Sequence, residues 1–251
     1  MTASTYQQLR GHLAYLGLTT AAEHLASHLD DPKASVTDVL ESLLSREVEA
    51  TGARRLAGRL RFAHYPLRKT LADFDFSFQP SLDRKTVAEL STLRFVEEHR
   101  NVLLLGPPGV GKTHLAIALG IAATEAGYRT YFTSAQDLVR YLGQAHRDER
   151  FSSKMRTYTG PSVLVIDELG YLPMDAESAH WIFEVITRRY ERGSIVLTSN
   201  RGFAEWGQVF ADTVVASAIL DRLLHHSTVM NIKGKSFRMR AHEDQEVVAM
   251  L

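Results

Sequence analysis

The stretch LLLGPPGVGKTHLA, residues 103–116, constrains the fold of this chain more than any other part of its sequence. Gly106 and Gly111 are separated by four residues and followed by Lys112 and Thr113, which is the pattern of a phosphate-binding loop between a strand and a helix. The residues expected to contact a nucleotide here are Gly106, Pro107, Pro108, Gly109, Val110, Gly111, Lys112, Thr113 and His114. In such a loop the lysine reaches the β- and γ-phosphates and the threonine hydroxyl binds Mg²⁺. The pattern therefore predicts that the chain binds a nucleoside triphosphate.

Two further polar sites follow apolar runs later in the chain. Residues 162–169 read SVLVIDEL, which predicts a buried strand with Asp167 and Glu168 at its carboxyl end. We expect Asp167 to bind Mg²⁺ beside Thr113, and Glu168 to activate the water that attacks the γ-phosphate. Asn200 ends the next apolar run and is placed to bond that water or the γ-phosphate.

Apolar strands alternate with helices from about residue 83 onward. The predicted strands are 101–105, 129–133, 162–166 and 194–199, and the predicted helices are 83–98, 112–126, 135–146 and 176–191. This alternation indicates an α/β fold with a central parallel sheet covered by helices on both faces. The residues before Pro66 have helical periodicity instead, so we predict a helical domain at 1–66 and a nucleotide-binding domain at 67–251. The phenylalanines of residues 74–78 are expected to pack this connection onto the second domain more readily than to form an adenine slot.

Composition excludes several classes of protein. The chain has no cysteine, so disulfides and thiolate metal sites are absent, and no apolar run is long enough for a membrane span. These features fit a cytoplasmic protein. The paired histidines also fail to predict a metal site. The pair His24 and His28 lacks the H-E-x-x-H order, because Glu23 precedes both histidines. No partner carboxylate is expected within range of the pair His225 and His226.

The formal net charge is zero, but basic residues are concentrated in particular stretches. The candidates for contact with nucleic-acid phosphates are Arg54, Arg55 and Arg59 in one stretch, and Arg140, Arg147, Arg150, Lys154 and Arg156 in another. A third basic stretch contains Lys233, Lys235, Arg238 and Arg240. Solvated helix faces would explain such stretches equally well.

Four motifs together resemble one family. GPPGVGKTHLA, VLVIDELGYLP, RRYERGSIVLTSNRGFAEW, and ILDRLLHHS followed by IKGKSFRMR are similar to the IstB-like transposition helper ATPases, over about residues 60–245. That family belongs to the AAA+ class and is close to the DnaC-type helicase loaders. The resemblance implies an ATPase that uses ATP and Mg²⁺, oligomerises as a ring or filament on duplex DNA, and deforms that DNA largely independently of its sequence. It also implies recruitment and stimulation of the transposase of the same element.

The resemblance also assigns roles to three kinds of residue. Asn200 corresponds to the first sensor, and Arg222 to the arginine finger that reaches the γ-phosphate of a neighbouring subunit, with Arg188 and Arg189 as competing candidates. An ion pair between Arg222 and Asp221 is the alternative to that role. Arg238 corresponds to the second sensor, which contacts nucleotide bound in the same subunit. The chain after Arg222 is too short for a full helical lid, so the lid is expected to be reduced or absent.

Three other functions remain open from the sequence. A DnaC-like helicase loader would share the ATPase core and differ in the partner that it holds. A small-molecule P-loop phosphotransferase would need an acceptor pocket and a mobile lid, and it would give no role to Glu168, Asn200 and a trans-acting arginine together. A nucleotide-gated DNA scaffold would use hydrolysis only to reset its state.

Overall fold

The chain folds as two compact units. A computed structural model of the protein describes residues 4–29 and 34–239, and the contacts within it separate the units between Gly58 and Arg59. The predicted boundary lay later, after residue 66. The unit border comes earlier because Arg59 already donates a 3.3 Å hydrogen bond to the carbonyl of Thr124 in the second unit, and the hydroxyl of Tyr65 lies 2.6 Å from Oγ1 of Thr130.

The first unit is helical in the part that the structure describes, as predicted. It contains α1 (Thr5–Tyr15), α2 (Thr19–Leu29) and the first part of α3 (Val36–Ala63), which continues into the second unit. Ala21, Leu25 and Leu43 form a small apolar core. Glu47 accepts a 2.9 Å hydrogen bond from the backbone N–H of Ala21, which satisfies one of the free amide groups in the first turn of α2.

The second unit is built on a five-stranded parallel sheet. The strands are β1 (Asn101–Leu105), β2 (Thr130–Ser134), β3 (Val163–Leu169), β4 (Ser194–Ser199) and β5 (Ser227–Asn231), in the order β2-β3-β4-β1-β5. All four pairings are parallel. The predicted α/β architecture is therefore confirmed, with β5 as an edge strand that the sequence did not indicate.

Helices cover both faces of this sheet. They are α4 (Arg84–Ser91), α5 (Arg94–Glu97), α6 (Lys112–Glu125), α7 (Ala135–Arg147), α8 (Phe151–Thr159), α9 (Ala176–Arg189), α10 (Trp206–Val209) and α11 (Thr213–His225). Successive strand residues point to opposite faces, so Leu103 lies in the cluster formed with α7 to α11, whereas Val102 and Leu104 lie in the cluster formed with α4 to α6. None of the described helices combines the length and apolarity that a membrane crossing requires.

Two regions differ from the simple alternation of strands and helices. The single helix predicted at 83–98 is interrupted at Leu93, whose φ of 63° is incompatible with an α-helix, so α4 and α5 are separate. After α11 the described chain forms β5 and one short 3₁₀ turn at Phe237–Met239, in agreement with a reduced lid. Arg240 of the third basic stretch lies outside the described residues.

Candidate nucleotide-binding site

Three polar segments meet at the carboxyl edge of the sheet. Strands β3, β4 and β1 are neighbours and parallel, so the residues that end or follow them lie side by side. The phosphate loop follows β1, Asp167 and Glu168 end β3, and Asn200 follows β4. The residues that line the resulting cleft of about 250 Å³ are Pro108, Gly109, Lys112, Thr113, Glu168, Tyr171, Thr198, Asn200 and Arg238.

The glycines of the phosphate loop allow a close approach of the C-terminal segment, defined here as residues 232–239. Gly106 and Gly109 have positive φ values of 147° and 81°. A Cβ atom at Gly106 would overlap the carbonyl oxygen of Ile232, and one at Gly109 would overlap the side chain of Ser236. The backbone N–H of Phe237 also donates a 2.9 Å hydrogen bond to the carbonyl of Gly109. The C-terminal segment therefore forms one wall of the loop.

Lys112 is the largely buried cation of the loop. Its Nζ donates hydrogen bonds to the carbonyl oxygens of Gly106 (2.7 Å) and Pro107 (2.8 Å). Burial lowers the pKa of Lys112, and the nearby carboxylate of Asp167 opposes that shift. Because an ammonium group held away from bulk water interacts more strongly with an anion, this position favours a phosphate ligand.

A network of hydroxyl groups holds the carboxylate of Asp167. Thr113 Oγ1 donates to Oδ1 and Oδ2 of Asp167, at 2.9 and 3.1 Å. Thr198 Oγ1 donates to Oδ1 of Asp167 at 2.5 Å. The same hydroxyl oxygen of Thr198 accepts a 2.9 Å hydrogen bond from the backbone N–H of Glu168. Thr198 thus links both acidic residues, a role that the sequence analysis missed. The available signal was a hydroxyl near the end of the strand adjacent to β3.

Glu168 lies at an irregularity in β3. The register pairs Ile166 with Leu197 but Leu169 with Ser199, so one extra residue is accommodated on β3, and Glu168 has a φ of 60°. Its side chain is exposed, whereas those of Asp167 and Leu169 are buried. The bulge therefore directs Glu168 into the cleft while Asp167 stays in the hydroxyl network.

Asn200 and Arg238 complete the cleft. The Oδ1 atom of Asn200 is buried and has no hydrogen-bond partner within the described ranges. Such an atom calls for a partner from water or ligand. Arg238 lines the cleft near Lys112, whose pKa it lowers further through its positive charge. Asn200 and Arg238, to which the resemblance assigns the roles of the two sensors, thus both line this cleft.

A second, more apolar cleft of about 350 Å³ adjoins the loop. Its walls come from residues 67–79, from the loop and the start of α6, and from Phe237 and Arg238. Phe74 lies in the apolar core and also lines this cleft, with its ring 5.1 Å from that of His114. The Nε2 atom of His114 lies 2.9 Å from the carbonyl oxygen of Thr70. Phe74 therefore packs the connection and also contributes to a cleft of suitable chemistry for a nucleobase.

The prediction of Arg189 as a candidate arginine finger is wrong. Its side chain is 1% exposed and donates hydrogen bonds to four backbone carbonyls. The acceptors are Tyr158, Pro161, Ser162 and Ser194, at distances between 2.8 and 3.1 Å. Burial lowers the pKa of Arg189 to about 9, so the guanidinium remains charged at neutral pH. A buried guanidinium held by four backbone carbonyls cannot reach a neighbouring subunit. Arg188, in contrast, is half exposed and pairs with Glu184 at 2.9 Å.

Arg222 lies towards the opposite edge of the sheet from the phosphate loop. The next residue, Leu223, accepts a 3.0 Å hydrogen bond from the side chain of Asn101, which begins β1. The loop follows the other end of that five-residue strand, so about 16 Å of strand separates the two levels. The guanidinium of Arg222 donates to the carbonyl of Ala218 at 2.9 Å and lies 4.9 Å from the ring centre of Phe183, in place of an ion pair with Asp221.

The basic residues proposed for DNA occupy two surfaces. On α7 and α8, the side chains of Arg140, Arg147, Arg150 and Arg156 are exposed and that of Lys154 is half-buried. The Lys154 ammonium lies 4.6 Å from the ring centre of Tyr141, and burial lowers the pKa of Lys154.

Of the earlier basic stretch, Arg55 is exposed. Arg54 forms a 2.6 Å ion pair with the buried carboxylate of Glu47, and Arg59 donates to the carbonyl of Thr124 at 3.3 Å. Arg140 on the α7–α8 surface also has a partner, Asp137. That surface carries four exposed arginines against two in the earlier stretch, so it is the better candidate.

The expectation that His225 and His226 lack a carboxylate is wrong. Glu191 lies far from them in the sequence, but its Oε1 atom is 3.5 Å from Nε2 of His226 and 4.0 Å from Nδ1 of His225. The contact arises because the turn after α9 and the end of α11 lie together at the amino edge of the sheet.

Comparisons with known proteins agree with this geometry. A model of the family described as "IstB-like ATP binding protein" matches residues 8–245. The chain is 48% identical over 225 residues to the ATP-binding protein of insertion sequence IS21 from Pseudomonas aeruginosa, covering 87% of this chain and 85% of that protein. It is 46% identical over 225 residues to the corresponding protein of IS5376 from Geobacillus stearothermophilus, covering 90% and 88%.

Two solved structures have a fold similar to that of this chain. The DnaC helicase loader is 26% identical, with a TM-score of 0.51 over 59% of this chain and 87% of that one. DnaI is 21% identical, with a TM-score of 0.57 over 66% and 92%. At that level of identity the likeness to DnaI concerns the fold alone.

Proposed function

Since the chain belongs to the family of IstB-like ATP-binding proteins, we propose that it is the helper ATPase of an insertion sequence. In this proposal, ATP-bound copies assemble on duplex DNA as a ring or helical filament and deform the DNA. The assembly then recruits and stimulates the transposase of the same element. Support comes from the relatives, which are named as ATP-binding proteins of insertion sequences.

The residues of the cleft fit ATP with Mg²⁺. Thr113 and Asp167 offer oxygen atoms 2.9 Å apart, and oxygen donors are the ligands that Mg²⁺ prefers. When bound, Mg²⁺ would neutralise charge that develops on the β- and γ-phosphates. Lys112 would bind the same phosphates, in exchange for its present contacts with two loop carbonyls.

Hydrolysis needs a water held in line with the γ-phosphate. Glu168 is the carboxylate that the bulge directs into the cleft, so it would orient that water and accept its proton. Asn200 offers a buried Oδ1 atom that needs a partner, and its amide would hold the same water or a γ-phosphate oxygen. Arg238 would contact the phosphates from the C-terminal segment of the same chain.

One observation carries the proposal that assembly is required. Arg222 lies towards the amino edge of the sheet, while the phosphate loop of the same chain lies at the carboxyl edge. Arg222 therefore suits a role on the nucleotide of an adjacent copy, where a guanidinium stabilises charge on the transferring phosphoryl group. Hydrolysis would then depend on contact between copies.

DNA contact is proposed for the α7–α8 surface. Exposed arginines there would bind phosphates, which provide affinity and register with little reading of base sequence. A helicase-loader function is the second candidate, because of the likeness to DnaC at 26% identity. The two functions differ in the partner protein, a transposase or a replicative helicase, which co-purification from the host would identify.

The decisive experiment is subunit mixing. Steady-state ATP hydrolysis is measured with and without duplex DNA for the wild type, Glu168→Gln, Arg222→Ala, Lys112→Ala and Arg188→Ala. We expect DNA to raise the wild-type rate, and Glu168→Gln to form particles of wild-type size on DNA without turnover. Arg222→Ala should lose at least about 10²-fold in turnover, since arginine fingers contribute 10³–10⁵. Arg188→Ala, the matched control, should hydrolyse normally.

Mixing then assigns the site to one chain or two. Equal amounts of Arg222→Ala and Lys112→Ala protein should recover activity, because intact Arg222 from one variant can meet an intact loop of the other. Full activity of dilute monomers without DNA would contradict the proposal. Normal hydrolysis by Arg222→Ala, with loss in Arg188→Ala, would transfer the role to Arg188.

A further inference from the structure

The amino edge of the sheet carries a cluster of three exposed side chains with the chemistry of metal ligands. One nitrogen of His225, one nitrogen of His226 and one carboxylate oxygen of Glu191 all lie within 4.8 Å of one another. They belong to two segments distant in sequence, the turn after α9 and the junction between α11 and β5. The cluster lines an open cleft, so an ion could enter from solvent.

The separations are close to those of a bound ion. Ligand atoms at about 2.0–2.1 Å from a tetrahedral centre lie about 3.3 Å apart. The Oε1 atom of Glu191 is already 3.5 Å from Nε2 of His226, and 4.0 Å from the nearer nitrogen of His225. Exposed side chains can close such differences by small rotations, without movement of the backbone.

Two features orient these ligands. The ring of Tyr190 stacks on that of His225 at 5.8 Å with an interplanar angle of 28°, which holds the imidazole in place. The hydroxyl of Tyr190 lies 2.7 Å from Nδ1 of His225, the nitrogen nearer to Glu191, so it must turn away when that nitrogen binds an ion. Glu191 holds a φ of 57°, an unusual backbone conformation for glutamate, and such outliers are frequent at functional positions.

The donor set selects the class of ion. Two imidazole nitrogens and one carboxylate suit Zn²⁺ and its neighbours in the transition series, whereas Mg²⁺ prefers oxygen ligands in octahedral geometry. Arg100, the basic residue that lines the same cleft, lies 3.6 Å from the carboxylate of Glu98, so its charge is partly compensated. The cluster itself contributes a net negative charge when the histidines are neutral.

We infer that Glu191, His225 and His226 form a binding site for one divalent ion of the zinc class, with water in the remaining coordination position. The ion joins the turn after α9 to the end of α11. This site is separate from the Mg²⁺ site of the nucleotide, which lies at the opposite edge of the sheet and uses oxygen donors.

Cobalt titration tests the inference. The full chain is purified without a histidine tag, treated with a chelator, and titrated with Co²⁺ while the visible absorption bands of low-symmetry Co²⁺ are recorded. We expect one equivalent to bind with a Kd in the micromolar range or tighter, to be displaced by Zn²⁺, and to resist millimolar Mg²⁺. His226→Ala and Glu191→Gly should each weaken binding at least tenfold.

Matched controls separate ligand loss from damage to the fold. Glycine adopts the positive φ of position 191 without strain, so Glu191→Gly removes the ligand and keeps the backbone conformation. His180→Ala removes another exposed histidine of the same unit and should bind Co²⁺ as the wild type does. The inference is overturned if the wild type gives no spectrum of bound Co²⁺ at Co²⁺ concentrations up to about 100 μM. It is also overturned if His226→Ala and Glu191→Gly bind Co²⁺ as tightly as His180→Ala does.

Discussion

Replacement of Arg189 by methionine should destabilise the second unit by about 2–4 kcal/mol, in contrast to the same change at the adjacent Arg188. Methionine has a similar length but offers no donor. Four backbone carbonyls accept hydrogen bonds from Arg189 in the wild type. One of them, that of Ser162, keeps a second donor in the backbone N–H of Ser194 at 2.9 Å.

The magnitude follows from the carbonyls that lose their donor. The carbonyl of Ser194 also keeps a donor, the backbone N–H of Leu164 in the parallel β3–β4 ladder. Up to two buried acceptors, the carbonyls of Tyr158 and Pro161, are therefore left unsatisfied, at about 1–3 kcal/mol each. Methionine also removes the cost of burying a charged guanidinium, which offsets part of this loss. The balance is the destabilisation stated for Arg189→Met. Arg188 lies on the exposed side of the same helix, and its (i, i+4) ion pair with Glu184 contributes only about 0.3–0.5 kcal/mol.

Tryptophan fluorescence makes the assay specific for the relevant unit. The two tryptophans of the chain, Trp181 and Trp206, both lie in the second unit, so urea unfolding followed at their emission reports on that unit alone. We expect a lower urea midpoint for Arg189→Met and an unchanged one for Arg188→Met. If the free energies of unfolding of the two variants agree within about 1 kcal/mol, the reasoning from unsatisfied carbonyls is refuted.

Two further predictions concern the cleft. Thr198→Val removes the hydroxyl that joins Asp167 to the backbone of Glu168. ATP turnover should therefore fall by about 10²-fold, while ATP affinity changes little. Thr198→Ser should restore turnover, and wild-type turnover in Thr198→Val would contradict this positioning role. Gly109→Ala and Gly127→Ala each place a side chain at positive φ, at a cost of about 1–2 kcal/mol, but only the first overlaps Ser236. We therefore expect ATP affinity, measured by calorimetry, to fall in Gly109→Ala alone; equal affinity in the two variants would mean that the C-terminal segment does not shape the loop.

Local sequence patterns predicted the inner strands well. The strands expected at 101–105 and 194–199 occur as Asn101–Leu105 and Ser194–Ser199, because continuous apolar runs identify strands buried on both faces. Strand β5 escaped prediction because an edge strand of sequence STVMN lacks such a run. The break at Leu93 also left no glycine or proline as a signal.

The candidate site was predictable where its residues are close in sequence to a motif. The phosphate loop and the acidic pair carry such motifs. The contact of Thr198 with Asp167, the burial of Arg189 and the approach of Glu191 to His226 depend on which elements become neighbours in the fold. Threonine, arginine, glutamate and histidine also occur on protein surfaces without any special role, so only the tertiary arrangement distinguishes these positions.

The two edges of the sheet explain why assembly and hydrolysis would be coupled in the proposed function. The carboxyl edge holds the groups that bind nucleotide, and Arg222 lies about one strand length away, towards the amino edge. A rigid sheet of buried strands cannot fold back to bring these levels together within one chain. In the proposed function a second copy supplies the guanidinium of Arg222, so the hydrolysis rate per chain should rise with protein concentration until every cleft has a neighbour.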